Sequence, residues 1–147
     1  MDVNKEILCI PGKAKNYAVE FTYIKEICSD VMVSRVPCLP EYFMGVFQHQ
    51  GAIIPVIRLE EEPETSEEGG RSVILILEYQ EYQLGILLSG EPRMVHADDM
   101  TWIDMPDRDE AGTDIWPGKA FYKYQNLLFF LGDIEQLMDH LIIYHNI

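Results

Sequence analysis

Gly45-Val-Phe-Gln-His-Gln-Gly-Ala-Ile-Ile-Pro-Val-Ile-Arg-Leu59 is the stretch around which the rest of the chain reads. Phe47 to His49 reads as a strand, Gln50-Gly51 as a turn, and Ala52 to Leu59 as a second strand. Ile53, Ile54, Val56 and Ile57 dominate that second strand, and branched side chains suit a buried pleated surface. Pro55 has no N–H to give a ladder, so it belongs at an edge or a bulge. Upstream, Pro40 to Met44 reads as one helical turn, with proline at its first position and Gly45 at its stop. A strand, a glycine turn and a proline-marked strand form a bent corner of a small barrel. The stretch offers no nucleophile and no obvious metal ligand, so the first expectation is a surface for protein partners.

On the N-terminal side, Ile7 to Ile10 is a short apolar run. Pro11 to Asn16 is turn chemistry, and Tyr17 to Tyr23 alternates as a return strand. Ile24 to Ile27 continues as strand or bend, Ser29-Asp30 marks a turn, and Val31 to Val36 is extended. On the C-terminal side, Glu60 to Gly70 is acidic, without apolar residues, and reads as a solvated loop. Val73 to Tyr79 and Tyr82 to Leu88 are paired strands about a tight turn at Gln80-Glu81, and Arg93 to Val95 resumes the strand. His96 to Trp116 is polar and acidic, mostly loop, with a turn of helix at Ala97 to Met100. Gly118 to Tyr124 and Leu127 to Leu131 form a last hairpin. Asp133 then caps a helix whose Ile134, Leu137, Met138, Leu141 and Ile142 share one face.

The 147 residues suffice for one ordinary domain or two very small barrels sharing a core. Apolar residues make up 48%, enough for a sizeable core. The formal net charge of −14 argues against phosphate-backbone binding and against an anionic membrane surface. Cys9, Cys28 and Cys38 are odd in number and lack metal spacing, so free thiols in a reducing compartment are expected. No apolar run approaches the roughly 20 residues that cross a bilayer, and no leader is read at the N-terminus. A cytoplasmic protein without membrane insertion is the expectation.

The two halves echo one another. Ile7 to Ile27 is matched by Val73 to Val95, and Gly45 to Leu59 by Gly118 to Ile134. The offsets are unequal, so an insertion lies in the acidic stretch before Trp116. Two similar β units of this size suggest two small barrels related by a pseudo-two-fold.

Tyr17 to Ile27, Val31 to Pro40, Gly45-Val46, Gly51, Pro55-Val56-Ile57 with Leu59, Gly85 to Leu88, and Leu131 to Leu137 together resemble the CheW-like coupling domain of bacterial chemotaxis. The resemblance spans essentially the whole chain, 1–147, as a single such domain. It implies an all-β fold: two five-stranded SH3-like barrels around a shared apolar core, with short helices and a C-terminal helix. It implies a non-enzymatic adaptor without cofactors, joining a chemoreceptor cytoplasmic tip to the regulatory domain of the chemotaxis histidine kinase. It places partner contacts at Phe21, Ile24, Glu26, Gly45, Gln50, Gly51 and Arg58. Ile24 would supply apolar contact, Glu26 a charge that fixes register, and Gly45 close approach of backbones. The chain departs from the family pattern in three places. Gln48-His49-Gln50-Gly51 stands where an Asn-Leu-Arg-Gly corner is usual, and Arg58 and Ser89 stand where aspartates are usual. Losing the arginine fork changes what the corner can bind. Alternative readings are a scaffold of the same fold in another signalling assembly, and a small enzyme or ligand-binding domain using a cleft between the barrels.

The remaining candidates for chemistry have plainer readings. His140 and His145 are spaced too far apart to share a helical face, and the other histidines lack ligand spacing, so no metal site is expected. The Asp98 to Asp114 cluster does not follow a calcium loop. Cys28 or Cys38 could meet a histidine in space, which sequence alone does not decide. Trp102 and Trp116 read as clamps on the acidic loop.

Overall fold

The computed structural model describes residues 5–37, 40–60, 72–103 and 116–141. Eleven strands and one helix are found there. They are β1 (Glu6–Ile10), β2 (Asn16–Glu20), β3 (Ile24–Val31), β4 (Phe43–His49), β5 (Ala52–Ile57), β6 (Ser72–Tyr79), β7 (Tyr82–Leu88), β8 (Arg93–His96), β9 (Thr101–Ile103), β10 (Gly118–Tyr124), β11 (Leu127–Gly132) and α1 (Ile134–Leu141). Turns of 3-10 helix join β2 to β3 at Phe21–Tyr23 and β8 to β9 at Ala97–Asp99.

The strands form two sheets, each the wall of one small barrel. One has the order β8-β1-β2-β11-β10-β9 and contains both ends of the described chain (the terminal barrel). The other has the order β3-β6-β7-β5-β4 (the central barrel). Exchanging β1 with β6, β2 with β7, β3 with β8, β4 with β10 and β5 with β11 turns one order into the other. The echo in the sequence is therefore real, but the halves do not build separate barrels. The central barrel takes the β6–β7 hairpin from the second half and three strands from the first, and the terminal barrel takes the β1–β2 hairpin from the first half and four strands from the second. The joins are the two parallel ladders, β5 with β7 and β11 with β2, and the antiparallel ladders of β3 with β6 and β1 with β8. The strand β9, absent from the sequence reading, has as its counterpart the bridge between Ser34 and Val46.

Strand alternation sorts the side chains into three apolar clusters. Leu8, Ile10, Tyr17 and Val19 face Leu75, Leu77, Leu84 and Ile86 in a core shared by both sheets, which α1 closes with Ile134, Leu137, Met138 and Leu141. The opposite faces of the same strands fill the barrels: Ile7, Ala18 and Leu131 in the terminal one, Ile54, Val56, Ile74 and Ile76 in the central one. Asp133 caps α1 as expected, its carboxylate accepting from the Gln136 N–H at 3.0 Å. Glu135 on α1 accepts from the hydroxyls of Tyr23 (2.8 Å) and Tyr79 (3.3 Å), tying the helix to both halves.

Several expectations change. Pro40 to Met44 is not a helical turn: a tight turn with Phe43 N–H donating to the Pro40 carbonyl leads straight into β4. Pro55 lies on β5, which is paired on both sides, and not at an edge. It is tolerated because the parallel ladder to β7 begins only at Val56, and the bulge in this hairpin falls at the neighbouring Met44. Ser29-Asp30 interrupts no strand; β3 runs on to Val31 through an irregularity, with Asp30 at φ 58°. Trp116 is no loop clamp but lies wholly in the shared core, edge-on to Tyr17, its indole N–H donating to the Phe130 carbonyl at 3.1 Å. Trp102, on β9, is half exposed and packs edge-on against Tyr122. Glu60 does not trail into solvent: its carboxylate accepts from the N–H groups of Lys13, Ala14 and Lys15 and pins the β1–β2 turn. Cys38, the acidic residues 61–70 and 104–114, Ile142 and His145 lie outside the described residues.

Gly45 and Gly51 both have positive φ, but for different reasons. A Cβ at Gly45 (φ 141°) would stand 2.0 Å from the Ser34 carbonyl oxygen, whereas at Gly51 (φ 83°) it would meet nothing. Gly45→Ala should cost at least about 2 kcal/mol, and Gly51→Ala only about 1 kcal/mol of backbone strain. Denaturant unfolding of the two variants side by side checks this; equal losses would show that the Ser34 crossing does not constrain Gly45.

Candidate functional site

The strand β3 is one edge of the central barrel and β4 the other. The chain leaving β3 bends round and closes the barrel where Ser34 exchanges two backbone hydrogen bonds of 2.8 Å with Val46. Along β3 the side chains alternate: Ile24, Glu26 and Cys28 are half-buried, while Lys25, Ile27 and Ser29 are exposed. His49, the last residue of β4, reaches across the seam, and its Nε2 lies 2.7 Å from a Glu26 carboxylate oxygen. The Cys28 sulfur is 4.0 Å from each ring nitrogen of His49. The hydrogen bond from His49 holds the Glu26 carboxyl below its ordinary range. Burial first, then the Glu26 charge, pushes the Cys28 thiol upward. A thiol made harder to ionise is the opposite of an activated nucleophile.

The residues expected at a partner surface are not all in one place. Glu26 sits beside His49 and the Gln50-Gly51 turn, and Phe21 and Ile24 lead into the same strand. Phe21 is 53% exposed, whereas Ile24 packs against the shared core. Gly45 is buried, and the close backbone approach that it permits is to Ser34 of its own chain. Arg58 lies beyond the other end of β5, about 20 Å along the strand from Gln50. There it lines a shallow cleft with Ser89 and Glu60. Sequence reasoning missed His49 as a partner of Glu26, because edge strands meet only when a barrel closes. It also missed Ile27 and Ile53, 42% and 68% exposed, which were read simply as strand apolar residues.

The pseudo-two-fold provides an internal control for the seam. The hairpin ends His49–Ala52 and Tyr124–Leu127 correspond, as do the parallel pairs Val56–Gly85 and Leu131–Ala18. Following the ladders outward carries Glu26 onto Arg93 and Cys28 onto Val95. This second seam stands open as a groove of about 460 Å³ lined by Cys9, Arg93, Tyr124, Gln125, Leu127 and Phe129. Burial raises the Cys9 thiol to about 11, so it stays protonated there. The cleft between the barrels, where a ligand pocket was considered, is filled by the shared apolar core.

Two intertwined barrels of this kind define a double SH3-like barrel module. The family model described as the CheW-like domain matches residues 6–140, and the chain belongs to that family. A curated relative, the chemotaxis protein CheW of Treponema pallidum (strain Nichols), is 29% identical over 85 residues. That match takes in 54% of this chain and only 50% of the relative's length. The crystal structure of the scaffolding protein TtCheW from Thermoanaerobacter tengcongensis superimposes with a TM-score of 0.67 at 18% identity, over 88% of this chain and 89% of that one. Among the described residues no helix is long and apolar enough to cross a membrane.

Because the folded-state pKa of Glu26 is depressed, its contribution to stability is complete above the ordinary carboxylate range. That contribution is lost as pH falls through the depressed value. Thermal unfolding of the parent and of Glu26→Gln should differ at neutral pH, with the parent higher, and converge in acid. Curves that stay parallel would show that the seam contact adds no stability.

Proposed function

We propose that this protein is a non-enzymatic adaptor of chemotaxis signalling, bridging a chemoreceptor cytoplasmic tip and the regulatory domain of a histidine kinase in the cytoplasm. The observation that carries this reading is the edge strand β3 with the turn before it: exposed Phe21 on the turn and exposed Lys25 and Ile27 on the strand, near the Gln50-Gly51 turn. An exposed aromatic anchor with a charged rim is the anatomy of a protein–protein contact. Membership of the CheW-like family and the likeness to a chemotaxis protein and a scaffolding protein support the same direction. In this reading Phe21, Ile24, Glu26, Gln50 and Gly51 form one contact face. Gly45 acts from beneath it by shaping β4, and Arg58 serves a separate contact at the far end of β5. Both barrels act as one module over the whole chain.

A second reading, a scaffold of the same fold for a different signalling assembly, is favoured by neutral Gln50 where the resemblance expects arginine. Losing a planar cationic fork at an interface costs partner affinity or changes the partner.

Calorimetric titration against the regulatory domain of a histidine kinase from the same genome, at two salt concentrations, separates the two. Saturable binding, weakened about tenfold by Phe21→Ala with unchanged thermal stability, is the expected result. Absence of binding at high micromolar concentration, with both proteins folded, transfers the case to the second reading.

A further inference from the structure

We propose that Glu26, Cys28 and His49 form a three-ligand site for a divalent transition metal, zinc foremost, at the seam that closes the central barrel. The side chains of these residues offer a carboxylate oxygen, a thiol sulfur and an imidazole nitrogen, all within 4.8 Å of one another. Glu26 and Cys28 are two apart on β3 and so share one row of its pleat. His49 meets them from the opposite edge strand. The inference rests on this geometry and not on the adaptor reading.

The distances are close to what a tetrahedral ion requires. Zinc bonds of about 2.0–2.3 Å place ligand atoms roughly 3.3–3.6 Å apart. The Glu26–His49 separation of 2.7 Å must open slightly, and the Cys28–His49 separations of 4.0 Å must close slightly. Both changes lie within side-chain rotation, since none of the three residues is fully buried. The hydrogen bond between Glu26 and His49 is exchanged for two metal bonds: the imidazole gives up its Nε2 proton and takes the Nδ1–H tautomer through solvent, and the thiol loses its proton to solvent as sulfur binds. The donor set of one sulfur, one nitrogen and one oxygen suits zinc and disfavours calcium or magnesium. Water completes the fourth position, reached from the side on which His49 and Glu26 keep 20% and 38% of their side chains exposed.

Barrel closure alone does not explain these three donors. At the corresponding seam of the terminal barrel the equivalent positions are Arg93, Val95 and Tyr124, which offer no such set. The central seam is also closed independently by the Ser34–Val46 hydrogen bonds. Sequence spacing held no sign of the site, because the histidine is brought to the strand pair only by closure of the barrel.

The test is a cobalt(II) titration of the full chain under a non-chelating reductant, followed by displacement with zinc. The expected result is one cobalt per chain, a thiolate-to-cobalt charge-transfer band and the strong visible bands of four-coordinate cobalt. Cys28→Ser should abolish the charge-transfer band, and Cys38→Ser should leave it intact. Glu26→Gln and His49→Gln should each weaken zinc binding by at least about 100-fold, beyond the 10–100-fold lost with outer-shell partners. X-ray absorption of the zinc-loaded parent should show one sulfur at about 2.3 Å, whether or not any variant folds. An all-oxygen and nitrogen shell, no thiolate band at tens of micromolar cobalt, or a band that survives in folded Cys28→Ser would each overturn the proposal.

Discussion

Everything in this fold depends on the two parallel ladders that join β5 to β7 and β11 to β2. Each is short, two and three residue pairs respectively. Each nevertheless completes the wall of its barrel. Together with the β3–β6 and β1–β8 ladders, they set each hairpin between two strands of the other half. With them, both faces of β1, β2, β6 and β7 are buried, one inside a barrel and one in the shared core. That double burial is why β1 and β6 read as nearly unbroken apolar runs rather than alternating ones. Gly85 shows how tight the join is: a Cβ there would lie 2.8 Å from Ile74 and 3.1 Å from Val56.

The outer strands have more freedom, and they differ between the twins. At the central seam Glu26 and His49 bind one another across the gap, and Cys28 stands beside them. At the terminal seam the equivalent residues leave an open groove. The same backbone plan therefore carries two chemically distinct edges. The closed one lies next to the Gln50-Gly51 turn and the exposed Phe21, where a partner would meet a surface whose shape is set by side-chain contacts across the seam. The open one offers Arg93 and the apolar flank of Leu127 and Phe129. A module built this way can present different faces to different partners without changing its core.

Much of this was legible in the residues. Alternation and branched side chains placed ten of the eleven strands, Asp133 announced the helix, and the echo between halves announced paired barrels. The strand β9 escaped because Thr101 to Ile103 is short and set in an acidic stretch. Gly45 was recognised as special, but the sequence does not say that Ser34 crosses it. Glu60 looked like the first residue of a solvated loop, because capping of the turn 13–15 depends on a contact between residues far apart in the chain. The meeting of Glu26 with His49 was illegible for the same reason. Local pattern reports which face of a strand is apolar; it does not report which two edges will touch.

The exchange of strands between halves also governs how the chain must find its shape. A barrel made from one contiguous segment could condense by itself. Here the central barrel needs β3 and β7, and the terminal barrel needs β1 and β11, so the longest loop in the molecule has to close before the second barrel has a wall. The entropy of that closure comes first and the burial that offsets it comes later, which is the topology of slow folding. Synthesis of the N-terminal half on the ribosome would leave the β1–β2 hairpin with no partner for β1 until β8 emerges and none for β2 until β11 does. During that interval its apolar faces depend on whatever else in the cell will cover them.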